Sequence, residues 1–130
     1  MKTLTSFALA LAFSAFTAVA ATDFPDISHD ELKKAMKQNT VTLIDVNGTD
    51  SFKKGHIPGS IDFAAHEEKL GEKLPKDKNA LIVAYCGSER CKAYRAAAAK
   101  AKELGYTNVK HYSKGIAGWK KAGEKTQSGS

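Results

Sequence analysis

The sequence predicts an α/β domain of three layers, with a mainly parallel central sheet flanked by helices. Three observations carry this expectation. Helix-like and strand-like segments alternate along the chain, the order that builds parallel sheets through crossover connections. Ala80-Leu81-Ile82-Val83-Ala84-Tyr85 is a continuous apolar run, as expected of a strand buried on both faces. A length of 130 residues allows one ordinary domain and excludes a second.

The first twenty residues are expected to lie outside that domain. Lys2 gives a positive start, 4–20 carries no charge, and Ala18-Val19-Ala20 has the small-x-small form cleaved by signal peptidase. A secretory signal at 1–20 is expected rather than a membrane anchor, because Thr, Ser and Ala dilute a stretch already short of about 20 strongly apolar residues. A linker at 21–26, a domain at 27–123 and a disordered tail at 124–130 complete the expected organisation. Export, to a bacterial periplasm, places both cysteines where a disulfide persists.

Within the domain, Ser28-His29-Asp30-Glu31 fits a capping box that opens a helix of about ten residues, with Ile27, Leu32, Ala35 and Met36 as its apolar stripe. Val41-Thr42-Leu43-Ile44-Asp45-Val46 reads as a buried strand, and Asp45 is unusual near its end. Gly55-His56-Ile57-Pro58-Gly59-Ser60 reads as a loop, 61–63 as a minor strand, and 64–74 as helical but interrupted by Gly71. After the central strand and its cysteine, Tyr94, Ala97, Ala98, Ala101 and Leu104 fall on one helical face, and Gly105 stands at the C-cap position. Residues 109–112 predict a last strand, and 115–121 a last helical turn or two holding Trp119.

Composition narrows the function classes. Hydrophobic residues at 42% and charged residues at 26% describe a soluble globular chain, with no stable membrane insertion once the signal is removed. The formal charge is +6, but the lysines are scattered without aromatic interleaving, which argues against nucleic-acid binding. Attraction for small anions, including sulfur oxyanions, remains. Two cysteines close at most one disulfide and lack the further ligands of a structural zinc site, so no metal is expected.

Cys86 is the candidate nucleophile. Ligands of parallel sheets bind beyond the carboxyl ends of strands, and Cys86 directly follows the most hydrophobic one. A loop of Gly87, Ser88, Glu89, Arg90, Cys91 and Lys92 leading into a helix is expected to turn backbone N–H groups inward around the sulfur. Arg90 and Lys92 favour the thiolate further. Two other readings stay open: Cys86 as a buried packing residue, and a structural Cys86–Cys91 disulfide.

These residues resemble the single-domain rhodaneses, a sulfurtransferase family. Ser28-His29-Asp30-Glu31-Leu32 is similar to the family's opening helix and Leu43-Ile44-Asp45-Val46 to its aspartate-bearing strand. Gly55-His56-Ile57-Pro58-Gly59-Ser60-Ile61 resembles its Gly-His-Ile-Pro-Gly-Ala loop, and Val83-Ala84-Tyr85-Cys86 the approach to its active cysteine. Gly105-Tyr106-Thr107-Asn108-Val109 and Lys114-Gly115-Ile116-Ala117-Gly118-Trp119 resemble its closing pattern. The resemblance implies that Cys86 takes the outer sulfur of thiosulfate or a polysulfide as a persulfide and passes it to a thiol or cyanide. It implies no cofactor and no metal. The expected partners are a small sulfur-donor anion and a thiol acceptor, small molecule or protein, met by a monomer.

Departures from the family pattern add alternatives. Asn47 stands where the family commonly has Arg after Asp-Val, so Asp45 lacks a charge partner; Asp45 and His56 are expected to scaffold the loops rather than react. Arg90 comes one position early and Cys91 occupies the usual Arg position. Cys91 is then either a resolving thiol or a packing residue. The longer loop also raises a rhodanese-like phosphatase or arsenate reductase, but Lys92 at the sixth position lacks the planar fork that grips a tetrahedral oxyanion. A thiol-disulfide redox protein and a non-catalytic partner-binding module are the remaining alternatives. Phe63, His66 and Ile116 are candidate specificity residues.

Overall fold

The computed structural model describes residues 24–130, so the expected signal and the start of the expected linker lie outside the described residues. Alternation of buried side chains builds a sheet covered on both faces, which is the three-layer α/β arrangement. The described elements are α1 (His29–Lys37), β1 (Val41–Asp45), α2 (Thr49–Lys54), β2 (Ile61–Asp62), α3 (Phe63–His66), α4 (Leu70–Lys73), β3 (Leu81–Tyr85), α5 (Tyr94–Glu103), β4 (Val109–His111) and α6 (Gly115–Lys121). The strands stand in the order β2-β1-β3-β4, and every pairing between them is parallel. Asp45 lies in register with Asp62 on one side and Tyr85 on the other, so the strands end along one common edge.

One face of the sheet presents Ile44, Ile82 and Ala84 to Phe24, Phe63, Leu70 and the alanines of α5. Ala97, Ala98 and Ala101 are fully buried, and their small size lets α5 lie close against β3 and β4. The other face presents Leu43, Val83 and Tyr85 to Ile27, Leu32, Ile57, Tyr112 and Trp119. Leu32 is completely buried, and burial of that kind contributes about 1.5–3 kcal/mol per large aliphatic side chain. The capping box forms as expected: Ser28 Oγ accepts from the Glu31 N–H at 3.2 Å, and Glu31 Oε2 accepts from the Ser28 N–H at 3.0 Å. Gly105 ends α5 in the left-handed conformation, with φ +97°.

Three local expectations need correction, and one element is missed. Sequence periodicity does not predict α2, because six residues with one buried anchor, Phe52, are too short to show a helical stripe. The segment 64–74 is not one helix but α3, a 3-10 turn (Glu67–Lys69) and α4. The end of the expected linker belongs to the fold: Phe24 is buried, and His111 N–H donates to the Pro25 carbonyl at 2.9 Å. The expected disordered tail is instead laid against the domain. His56 and Gln127 exchange two backbone hydrogen bonds of 2.9 Å, and Trp119 Nε1 donates to the Lys125 carbonyl at 2.8 Å. Polar composition suggested fraying, but these backbone groups find partners on the loop after α2 and on α6.

Candidate functional site

The carboxyl edge of the sheet gathers the ends of β1 and β3 with the turn into α6. Cys86 leaves β3 at the centre of this edge, 3% exposed. Its carbonyl accepts from the Ile116 N–H at 3.0 Å, and the Gly87 carbonyl accepts from the Ala117 N–H at 2.9 Å. The first N–H groups of α6, which have no partner within their own helix, are thus satisfied by the cysteine loop. This approach requires Gly115. Its φ is +60°, and a Cβ there would lie 2.6 Å from the Cys86 carbonyl oxygen and 2.8 Å from the Gly87 carbonyl carbon.

The sulfur has two partners. Tyr94, at the start of α5, donates its N–H to Cys86 Sγ at 3.1 Å. Cys91 is joined to Cys86 by a disulfide across a Cα–Cα distance of 6.0 Å, and no free cysteine remains among the described residues. The expected ring of donors from Gly87 onward is therefore corrected. The Cys91 N–H turns back to the Ser88 carbonyl at 3.1 Å, and the main-chain N–H that donates to the sulfur is that of Tyr94, at the start of α5. The fold brings Cys86 and Cys91 into bonding contact, with Cys86 buried and Cys91 half-buried.

The rest of the loop faces outward. Ser88, Glu89, Arg90 and Lys92 are exposed. Ser88, Glu89 and Arg90 form one wall of an open concavity of about 610 Å³ whose other wall is α6, with Lys114 and Lys121. Lys92 does not line it. Three cations against one carboxylate give this concavity a positive field suited to an anion.

Asp45 and His56 are buried side chains bonded to the turn out of β1 and to the end of α2. Asp45 is 1% exposed; its Oδ1 accepts from the Asn47 N–H at 2.7 Å, which turns the chain out of β1, while Oδ2 is buried without a hydrogen-bond partner. Burial, and then the neighbouring Asp45 carboxylate, hold the Tyr85 hydroxyl well above the ordinary tyrosine range, so it stays protonated. Tyr85 accepts from the Ile57 N–H at 3.0 Å and lies 3.0 Å from Ser60 Oγ. His56 is 2% exposed, stacks on Phe52 at 3.6 Å, and donates from Nδ1 to the Phe52 carbonyl at 2.7 Å. Among the described residues, neither side chain has a hydrogen bond to the loop 87–93.

Three features of the site are not found by sequence reasoning. The amide of Asn47 reaches toward Gly87: its Oδ1 lies 3.4 Å from where a Gly87 Cβ would stand, and its Nδ2 is buried without a partner. The departure from Arg marked the position but not this orientation. The Tyr94 N–H and the close approach at Gly115 are backbone effects, and only the glycine itself could have signalled the second. Of the candidate specificity residues, Ile116 touches the cysteine loop through its backbone, Phe63 is in the core, and His66 lines a separate concavity beside Phe52 and Asp62. Among the described residues no group of three or more His, Cys, Asp or Glu could hold a metal ion, and no helix is long and apolar enough to cross a membrane.

With this geometry in place, comparison with known proteins is specific. The family profile described as "Rhodanese-like domain" matches residues 28–122. The chain is similar to the HTH-type transcriptional regulator Rv0324 of Mycobacterium tuberculosis, with 35% identity over 113 residues covering 82% of this chain and 48% of that protein. The chain thus spans about half the length of that relative. Among solved structures, the BH2092 protein of Bacillus halodurans superimposes with a TM-score of 0.68 at 27% identity, covering 80% of this chain and 77% of that one. The human single-domain sulfurtransferase TSTD1 superimposes with a TM-score of 0.61 at 23% identity, covering 75% of this chain and 96% of that one, a likeness of fold.

Proposed function

The chain belongs to the rhodanese-like domain family, and from that premise we propose that it is an exported sulfurtransferase working in a bacterial periplasm through a persulfide on Cys86. The observation that carries this reading is the placement of Cys86: it directly follows the inner strand β3 of a parallel sheet, with the Tyr94 N–H directed at its sulfur. The disulfide is the resting, oxidised form. Once it is reduced, the Cys86 thiolate attacks the outer sulfur of thiosulfate or a polysulfide. A new Sγ–S bond forms, the donor's S–S bond breaks, and sulfite or a shortened chain leaves with the electron pair. A thiol or cyanide then takes the sulfur.

The chain's own groups divide the work. The Tyr94 N–H offers a fixed donor to the sulfur anion, worth more there than a mobile water because it needs no reorganisation. Arg90, Lys114 and Lys121 attract the anionic donor to the loop. Asp45, Tyr85 and His56 hold the neighbouring backbone. The test is thiocyanate formation from thiosulfate and cyanide by the reduced full chain. Sulfite release and thiocyanate, both absent in Cys86→Ser, support the reading; a reduced protein that forms neither overturns it.

The Cys86–Cys91 disulfide favours one second reading, a thiol-disulfide redox protein. That reading predicts disulfide exchange with protein dithiols by a chain that takes no sulfur from thiosulfate.

A further inference from the structure

We propose that Cys91 is the resolving residue of the site: it expels the sulfur carried by Cys86 as hydrosulfide, and a protein dithiol reduces the resulting disulfide. The proposal rests on the sulfur-transfer reading above and names its acceptor chemistry. It starts from the bond already present between the two sulfurs, which closes a loop only five positions long in sequence. A purely structural staple at this place would occupy the nucleophile permanently. It would also add little to the frame, because α5 packs on β3 through its alanines, α6 packs on β3 through Trp119, and the bonds from Ile116 and Ala117 join α6 to the loop.

The chemistry balances without a metal. In the first step, sulfur moves from thiosulfate to Cys86 and sulfite departs. In the second, the Cys91 thiolate attacks Cys86 Sγ: the Sγ–Sγ bond forms, the bond from Cys86 Sγ to the carried sulfur breaks, and the carried sulfur leaves as HS⁻ with its proton and the electron pair. The two thiols lose two electrons in total, and the sulfane sulfur gains them. The disulfide in the structure is the product of that attack. With the Cα atoms 6.0 Å apart the attack is intramolecular, so it outruns dilute external acceptors.

The same geometry sets the direction of return. Cys91 is half-buried whereas Cys86 is buried, so an incoming dithiol meets the Cys91 sulfur first. Cys86 is then the leaving group, and the Tyr94 N–H receives its negative charge. Thiol exchange favours departure of the better stabilised thiolate, so each reduction restores the nucleophile. The second thiol of the reductant attacks the mixed disulfide on Cys91, and the reductant leaves as a disulfide. The exposed cations Arg90, Lys114 and Lys121 beside the loop suit a partner with an acidic face around its dithiol.

The experiment uses the full chain, reduced and desalted without oxygen, given one equivalent of thiosulfate while hydrosulfide is trapped as it forms. Sulfite, hydrosulfide and intact mass are followed in wild type, Cys91→Ser and Cys91→Ala. Wild type is expected to release about one hydrosulfide per sulfite and to finish as the disulfide with no added sulfur. Both variants are expected to release sulfite, no hydrosulfide, and to stop with one sulfur on Cys86. A wild-type persulfide that persists like the variants', with sulfite but no hydrosulfide, overturns the role of Cys91 and leaves sulfur transfer standing. No sulfite from any of the three overturns both readings. The wild-type arm decides alone should either variant fail to fold.

Discussion

Two loops border β3, one bonded to the Tyr85 hydroxyl and the other following Cys86, and they are held in different ways. Loop 55–60 is fixed by side chains and by a second stretch of backbone: His56 pairs with Gln127, Ile57 N–H bonds to the Tyr85 hydroxyl, and Ser60 Oγ donates to the Ile57 carbonyl at 2.7 Å. Loop 87–93 is held from behind, through the carbonyls of Cys86 and Gly87, and across its front by one sulfur–sulfur bond. Redox chemistry leaves the first loop untouched and frees the front of the second. A rigid support beside a loop tied by a reducible bond is the arrangement a cysteine needs when it must be both positioned and accessible.

The comparison is broken most severely at the sulfur itself. Cys86→Ser is expected to lower thiocyanate formation at least about a hundredfold, read as kcat/KM, while unfolding of the reduced proteins by urea stays nearly superimposable. The next effect falls on the backbone behind the loop. Gly115→Ala places a Cβ against the Cys86 carbonyl in a left-handed conformation, and a loss of about 2–4 kcal/mol is expected in urea titration, together with reduced sulfur uptake.

Much of this arrangement was legible in the sequence where one side chain dictates one structure. Ser28 and Glu31 announced the start of α1, the uninterrupted run before Cys86 announced a central strand, and the resemblance carried the order of the loops. The remainder depended on backbone geometry or on pairing between distant segments. No local signal in 124–130 reveals that Gln127 pairs with His56, because the partner groups are main chain. Likewise the amide that reaches Cys86 Sγ belongs to Tyr94, whose side chain gives no hint of it. The pairing of Cys86 with Cys91 remained one of several readings of the spacing until the fold brought them together.

The better-pinned loop supplies the smaller effects. Truncation after Gly123 removes the Gln127 pairing, the Lys125 carbonyl that accepts from Trp119, and the Glu124 carboxylate bonded to His29 and Lys33. A loss of about 1–3 kcal/mol is expected in thermal or urea unfolding, with sulfur transfer retained. A frayed tail would instead leave stability unchanged.

The smallest effect appears in alkali. Burial, followed by the Glu124 and Asp26 carboxylates, pushes the Tyr112 hydroxyl up to about 12 from 10.0. The unfolded chain releases this proton first, so the stabilisation is complete below pH 10 and is lost as pH rises toward about 12. Tyr112→Phe should therefore flatten the fall in urea midpoint across that window, and an unchanged slope would remove Tyr112 from the account.

The central claim is that the reduced Cys86 sulfur, although more buried than Cys91, is the one held as the reactive anion. Peptide-resolved alkylation of the fully reduced chain at neutral pH tests it directly. Cys86 should be labelled faster than Cys91 in the folded protein, and the difference should vanish in denaturant. Faster labelling of Cys91, with Cys86 inert until the chain unfolds, would contradict it.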